Sequence, residues 1–142
     1  MIYLLTKGYV VQRLLSVLLP VRDVQATLSA SVHEILDVVA ESSDRFELVI
    51  IDDGSDDATS EVAHELTHHY PQVRVVRHTR PLGREAAIHT GLRRSRGELV
   101  VVHEGLQQYR IIDRRHQQAS HGPSRPARPN YLGRLKEFAL GE

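Results

Sequence analysis

A chain of 142 residues and 16.1 kDa is the size of one domain, and 41% hydrophobic residues suffice for a core, which excludes wholesale disorder. Eighteen Lys and Arg balance eighteen Asp and Glu, so the strongly basic character of a dedicated nucleic-acid binder is missing. The absence of cysteine excludes disulfides, thiolate zinc sites and Cys nucleophiles, and no apolar run reaches the ~18 residues that a membrane span needs.

Residues 1–20 are apolar, but Lys7 and Arg13 interrupt them. A signal peptide places its charge first and then an unbroken apolar run, so this stretch reads as a short leader before a first strand. Residues 14–20 (LLSVLLP) form a nearly continuous apolar run ended by proline, the pattern of a strand buried on both faces. Leu28, Val32, Ile35, Leu36 and Val39 then recur at spacings of three and four, which predicts a helix within 25–42. A second buried strand is expected at 47–51, followed by the turn Asp52-Asp53-Gly54-Ser55. Asp56 or Asp57 can cap the next helix, which passes through Val62, Ala63 and Leu66 and stops before Pro71.

Residues 73–77 (VRVVR) predict a third strand, and 84–94 a third helix after a loop with Pro81 and Gly83. Gly97 is read as that helix's C-cap, before a fourth strand at 98–102. This alternation predicts an α/β fold with a mostly parallel sheet. Two helices should cover one face and at least one the other.

From Glu104 onward no further unit of this kind is read. Three prolines in 119–130 suggest a flexible segment, and 131–140 a short helix. The division expected is an α/β domain over 1–112 and a Pro-containing tail over 113–142, with six basic and three acidic residues.

In parallel α/β sheets ligands bind beyond the carboxyl ends of the strands. Four loops should therefore meet on one edge: Pro20 to Asp23, Asp52 to Ser55, Arg77 to Arg84, and His103-Glu104-Gly105. A carboxylate there can accept charge-assisted hydrogen bonds from a base N–H or ribose hydroxyls, each contributing roughly 1.5–3 kcal/mol. An Asp-rich helix entry is the plainer reading of the same residues.

The order of the motifs discriminates further. SVLLPVRD, ELVIIDDGSDDAT and RPLGREAAIHTGLRRSRGELVVVHE occur in sequence over about residues 14–104. In that order and spacing they resemble family 2 glycosyltransferases of GT-A fold, in particular the dolichyl-phosphate-mannose synthase-like branch. The resemblance implies a GT-A-like, truncated domain that binds a nucleotide-diphosphate sugar and would transfer the sugar to an unidentified acceptor. A lipid-linked acceptor, and a cytoplasmic location peripheral to a membrane, suit that branch. It further implies that Pro20, Val21 and Asp23 line the base and ribose pocket. Asp52 or Asp53 would hold base and ribose, and Arg84 would approach the diphosphate.

Two departures from the family accompany these matches. Where the family carries Asp-x-Asp for Mg²⁺ or Mn²⁺, this chain has His103-Glu104-Gly105, leaving Glu104 and His103 as candidate ligands. The acceptor-binding half, which supplies the general base, is not evident, and Asp113 lacks the context to be assigned to that role. The alternative is therefore a non-catalytic or truncated nucleotide-binding protein.

Other constellations fit less well. A dinucleotide fold needs Gly-x-Gly-x-x-Gly in the first turn, where Pro20-Val21-Arg22 stands. His64 and His68 have a ligand spacing but no third partner, and position 107 is Gln107, not the second His of a His-Glu-x-x-His zinc site.

Overall fold

A computed structural model of the chain describes residues 14–43, 45–105 and 108–114. The expected leader up to residue 13, the segment 119–130 and the helix 131–140 lie outside the described residues. The elements in chain order are β1 (Leu15–Val21), α1 (Leu28–Ser42), β2 (Phe46–Asp52), α2 (Thr59–His69), β3 (Val73–Arg77), α3 (Arg84–Arg94), β4 (Leu99–Gly105) and β5 (Gln108–Asp113). The strands form one sheet in the order β3-β2-β1-β4-β5, parallel except for β5, which runs antiparallel to β4. The four expected strands and three expected helices are present.

Alternation along the strands sorts the core into two layers. Leu15, Val17 and Leu19 of β1 pack with Leu48, Ile50 and Val101, under Leu28, Val32 and Ile35 of α1 and Ala63 and Leu66 of α2. Leu18 packs on the opposite face with Val49, Ile51, Val100 and Val102, under Ala87 and Ile88 of α3. Each fully buried Leu or Ile contributes roughly 1.5–3 kcal/mol of transfer free energy. Gly91 lets α3 approach the sheet closely: a Cβ there would stand 2.8 Å from Ile51 Cδ1 and 3.0 Å from Leu18 Cδ1.

Pro20 sits inside the central strand, which is unusual because proline donates no ladder hydrogen bond. Its neighbour Val21 turns its carbonyl toward β2, accepting the Asp53 N–H at 2.9 Å. Successive residues face opposite sides, so Pro20 faces β4, and the β1–β4 pairing has already ended at Leu18 and Val102. No donor is needed where the proline stands.

Two features differ from the sequence reading. Gly97 is not a helix cap, because α3 ends at Arg94 and Ser95 donates its N–H to the Gly91 carbonyl. Gly97 instead passes close to β1, where a Cβ would meet Ser16 Oγ at 2.5 Å and Leu14 O at 2.7 Å. The unexpected strand is β5, at the sheet edge beside β4, and the expected 112/113 division falls at its last residue.

The amino end of the sheet is held by a buried carboxylate. Glu47, 4% exposed, accepts hydrogen bonds from Ser16 Oγ (2.7 Å) and the Arg96 N–H (2.6 Å). Arg74 Nη2 lies 2.9 Å and Arg96 Nε 3.5 Å from its other oxygen. Burial alone would raise the Glu47 pKa, but these hydrogen bonds and the two guanidiniums outweigh it and hold the carboxyl below its ordinary range. A depressed carboxyl contributes stability above its unfolded pKa and loses it as pH falls through the folded value. Glu47→Gln is expected to cost about 1–3 kcal/mol at pH 7. In chemical denaturation across pH, its deficit against wild type should close only well below 4.5, the ordinary value for the group.

Candidate functional site

The loops after β1 and β2 hold each other. Asp23 has φ +52°, a left-handed conformation that Asp tolerates better than most residues. Its N–H donates to Ser55 Oγ at 2.9 Å, and its Oδ1 accepts the Asp56 N–H at 2.8 Å. Val24 donates its N–H to Thr59 Oγ1 (2.8 Å), Gln25 to Asp57 Oδ2 (3.2 Å), and Ala58 returns one to Gln25 Oε1 (2.9 Å). Asp57 Oδ1 also accepts the Thr59 N–H at 2.9 Å and the Thr59 hydroxyl. Ala58, not Asp56 or Asp57, stands at the N-cap of α2, while Asp57 ties the helix start to the β1–α1 loop.

The two aspartates of the turn have separate tasks. Asp52 is fully buried, and its Oδ1 accepts the Ser55 N–H (3.0 Å) and hydroxyl (2.6 Å). Its Oδ2 receives no hydrogen bond, with Arg77 Nε 3.8 Å away. Asp53 points to the next loop. Its Oδ1 accepts hydrogen bonds from His78 Nδ1 and the Leu82 N–H, both at 2.8 Å, and its Oδ2 one from the Gly83 N–H at 2.9 Å. Burial would raise the Asp53 pKa; the His78 and backbone hydrogen bonds outweigh that and lower it. His78 is itself buried, and its Nε2 lies 2.7 Å from Thr90 Oγ1 on α3.

The end of β4 carries a bulge. His103 pairs with Tyr109 and Gly105 with Gln108, so Glu104 has no partner in the ladder. Bulges commonly re-aim a side chain. Arg84, the first residue of α3, donates from Nη2 to the His103 carbonyl at 2.7 Å and lies 3.4 Å from Glu104 Oε2. Arg110 of β5 brings Nε to 2.7 Å from Glu104 Oε1. The His103 ring packs edge-on against Tyr109, and its Nδ1 accepts the Gly105 N–H at 3.2 Å. Burial, reinforced by Arg84, lowers the His103 pKa and favours the neutral ring.

This donor set does not fit a divalent ion. Both oxygens of the lone carboxylate already face guanidiniums, and one ring nitrogen of His103 is taken by a backbone N–H. A hard cation here would have to displace both guanidiniums from Glu104 and take its other oxygens from water or a bound phosphate. Among the described residues, no group of three His, Cys, Asp or Glu side chains could hold a metal.

Asp23, Asp52, Asp53, Arg84 and Glu104 all lie on the carboxyl edge of the parallel strands, as expected. Asp53 is joined to the start of α3 through Gly83, and Arg84 to Glu104. Pro20 is buried, Val21 is half-buried with its carbonyl used by Asp53, and Asp23 is exposed. Sequence reasoning missed His78, Thr90 and Arg110. His78 directly follows β3, which could have marked it. Nothing local marked Arg110, because its strand was not read.

The model of the family described as glycosyl transferase family 2 matches residues 16–104. A dolichyl-phosphate beta-glucosyltransferase of Trichomonas vaginalis is 33% identical over 57 residues, which are 40% of this chain and 17% of that protein. A dolichol-phosphate mannosyltransferase of Pyrococcus furiosus is 40% identical over 57 residues, 40% of this chain and 16% of that protein. Among solved structures, the mannosyltransferase PcManGT of Pyrobaculum calidifontis, in complex with GDP-Man and Mn²⁺, superposes with a TM-score of 0.52 at 29% identity. That likeness covers 63% of this chain and 26% of that one. TarS of S. aureus shares the fold, with a TM-score of 0.50 at 22% identity over 63% of this chain and 16% of that one. The chain thus spans well under a third of the length of each of these proteins.

The glycine of the Asp52-Asp53-Gly54-Ser55 turn is required twice over. Gly54 has φ +69°, and a Cβ there would stand 2.5 Å from the Arg80 carbonyl carbon and 2.6 Å from Pro81 N. Both are backbone atoms that cannot swing aside. Gly54→Ala should cost about 2–5 kcal/mol, from left-handed strain plus overpacking. Urea unfolding should show this as a lower midpoint at unchanged slope.

Proposed function

Because the chain belongs to glycosyl transferase family 2, we propose that it binds a nucleoside diphosphate sugar on the carboxyl edge of its parallel strands. In this reading it serves as the donor-binding part of a transferase. The observation that carries the reading is topological. The strand order β3-β2-β1-β4 reverses direction at β1, and the crevice beyond the carboxyl ends of β1 and β4 is where open α/β sheets bind ligands. The cross-braced loops after β1 and β2 flank that point, with Asp23 exposed beside it. The solved mannosyltransferase complex with GDP-Man supports the choice of ligand.

In the proposed complex the nucleoside lies against Pro20, Val21 and Asp23. Asp52 Oδ2, which accepts no hydrogen bond, takes a base or ribose donor once the half-exposed Arg77 side chain turns aside. Asp53 acts as a positioning residue, since its oxygens hold the loop that delivers Arg84. The dolichol-phosphate relatives support a lipid-linked phosphate acceptor, and the proposed location is peripheral to a membrane on its cytoplasmic side. Among the described residues no helix is long and apolar enough to cross one. The Mg²⁺ or Mn²⁺ expected at Glu104 and His103 is not part of this proposal, because those residues do not fit it. A second reading, nucleotide binding without transfer, is favoured by the same ion-paired Glu104.

Isothermal titration calorimetry with UDP and GDP tests the ligand class. Wild type should bind one of them with a Kd below about 1 mM, and Asp52→Asn should weaken it by about tenfold to a hundredfold, the worth of one charge-assisted hydrogen bond. Absence of binding of either nucleotide to a folded wild-type chain at millimolar concentration would refute the proposal.

A further inference from the structure

The start of α3 meets the consecutive strands β4 and β5 at the end of β4. The start of α3 supplies Arg84, the bulge supplies Glu104, and the antiparallel β5 supplies Arg110. The carboxylate lies between two guanidiniums, at 3.4 Å from Arg84 Nη2 and 2.7 Å from Arg110 Nε. Arg110 Nη2 also reaches Glu85 Oε1 at 3.3 Å, a contact with a largely exposed partner. Such an exposed pair contributes little and is readily exchanged. The Glu104 side chain is only 20% exposed, whereas Arg84 and Arg110 are close to half exposed. Both cations therefore present donors to solvent while one carboxylate holds them together.

Guanidinium forks match the oxygens of phosphate groups as they match those of carboxylates. The N-terminus of α3 adds a favourable electrostatic field for an anion at the same place. Resting on the nucleoside diphosphate reading, we propose that Arg84 and Arg110 bind the diphosphate directly, without a divalent ion, and that Glu104 is the resting counterion which the diphosphate displaces. The two arginines do by fixed charge what a bridging metal would otherwise do. Glu104 in this account opposes ligand binding, whereas as a metal ligand it would favour it. The sign of its removal separates the two.

The test is calorimetry of the whole chain with UDP and GDP, in EDTA and again with Mn²⁺. Wild type should bind its preferred nucleotide in EDTA. Glu104→Gln should tighten that binding by about threefold to tenfold, and Arg84→Ala or Arg110→Ala should weaken it by a similar factor, the modest size reflecting partly exposed charges. Uridine and guanosine, which lack the diphosphate, should show none of these differences. If binding needs Mn²⁺ and is lost in Glu104→Gln, the arginine proposal is overturned while the nucleotide site stands. Metal-free binding indifferent to both arginine variants also overturns it and leaves the site intact. If neither nucleotide binds under either condition, the site itself is wrong and this inference falls with it.

Discussion

Three hydrogen bonds converge on the carboxylate of Asp53, from His78 Nδ1 and from the N–H groups of Leu82 and Gly83. The segment between β3 and α3 is bent around that carboxylate, so the entry point of α3 depends on it. His78 extends the same contact to Thr90 in the second turn of the helix. A carboxylate near a helix N-terminus is also favoured by the helix dipole. The bend brings the Arg80 and Pro81 backbone so close to Gly54 that no side chain fits between them. Where Arg84 sits, and hence what faces Glu104, follows from this one acceptor.

The other half of the edge is organised by exchange between two loops. Ser55, Asp57 and Thr59 each accept a backbone N–H from residues 23–25, while Asp23 and Gln25 accept in return from 56 and 58. These loops would otherwise carry unpaired backbone donors on a partly buried surface, which is costly. Much of the polar character of the Asp-Asp-Gly-Ser segment thus goes into building the edge. In the proposed complex the ligand is left a smaller set: one oxygen of Asp52, the exposed Asp23, and the guanidiniums at the end of β4. The opposite, amino edge is closed by Glu47 between Ser16, Arg74 and Arg96, so the two ends of the sheet are locked by different charges.

β1, β2 and β4 were legible because burial on both faces leaves short apolar runs, such as 48–51, whereas β3 was legible from the β-branched residues of VRVVR. The helices were legible from apolar spacing, since one face of each meets the sheet. β5 was not, because an edge strand of six residues reading QYRIID carries only a weak alternation. Gly97 was misread for a related reason. Beside a helix end a glycine reads as a cap, and only the packing of β1 against it reveals the close approach to Ser16.

By itself the sequence determined the alternation of strands and helices, the loops that follow each strand, and the family to which residues 16–104 belong. These rest on contiguous patterns, where each residue's role is set by its near neighbours. Tertiary structure alone decided which partners each buried aspartate takes, that Asp53 serves the loop before α3, and that Arg110 reaches Glu104. Those outcomes depend on strand order, on the β4–β5 register and on a one-residue bulge. A register shift of a single residue would carry Arg110 to the other face of the sheet, and no local pattern in the chain encodes that choice.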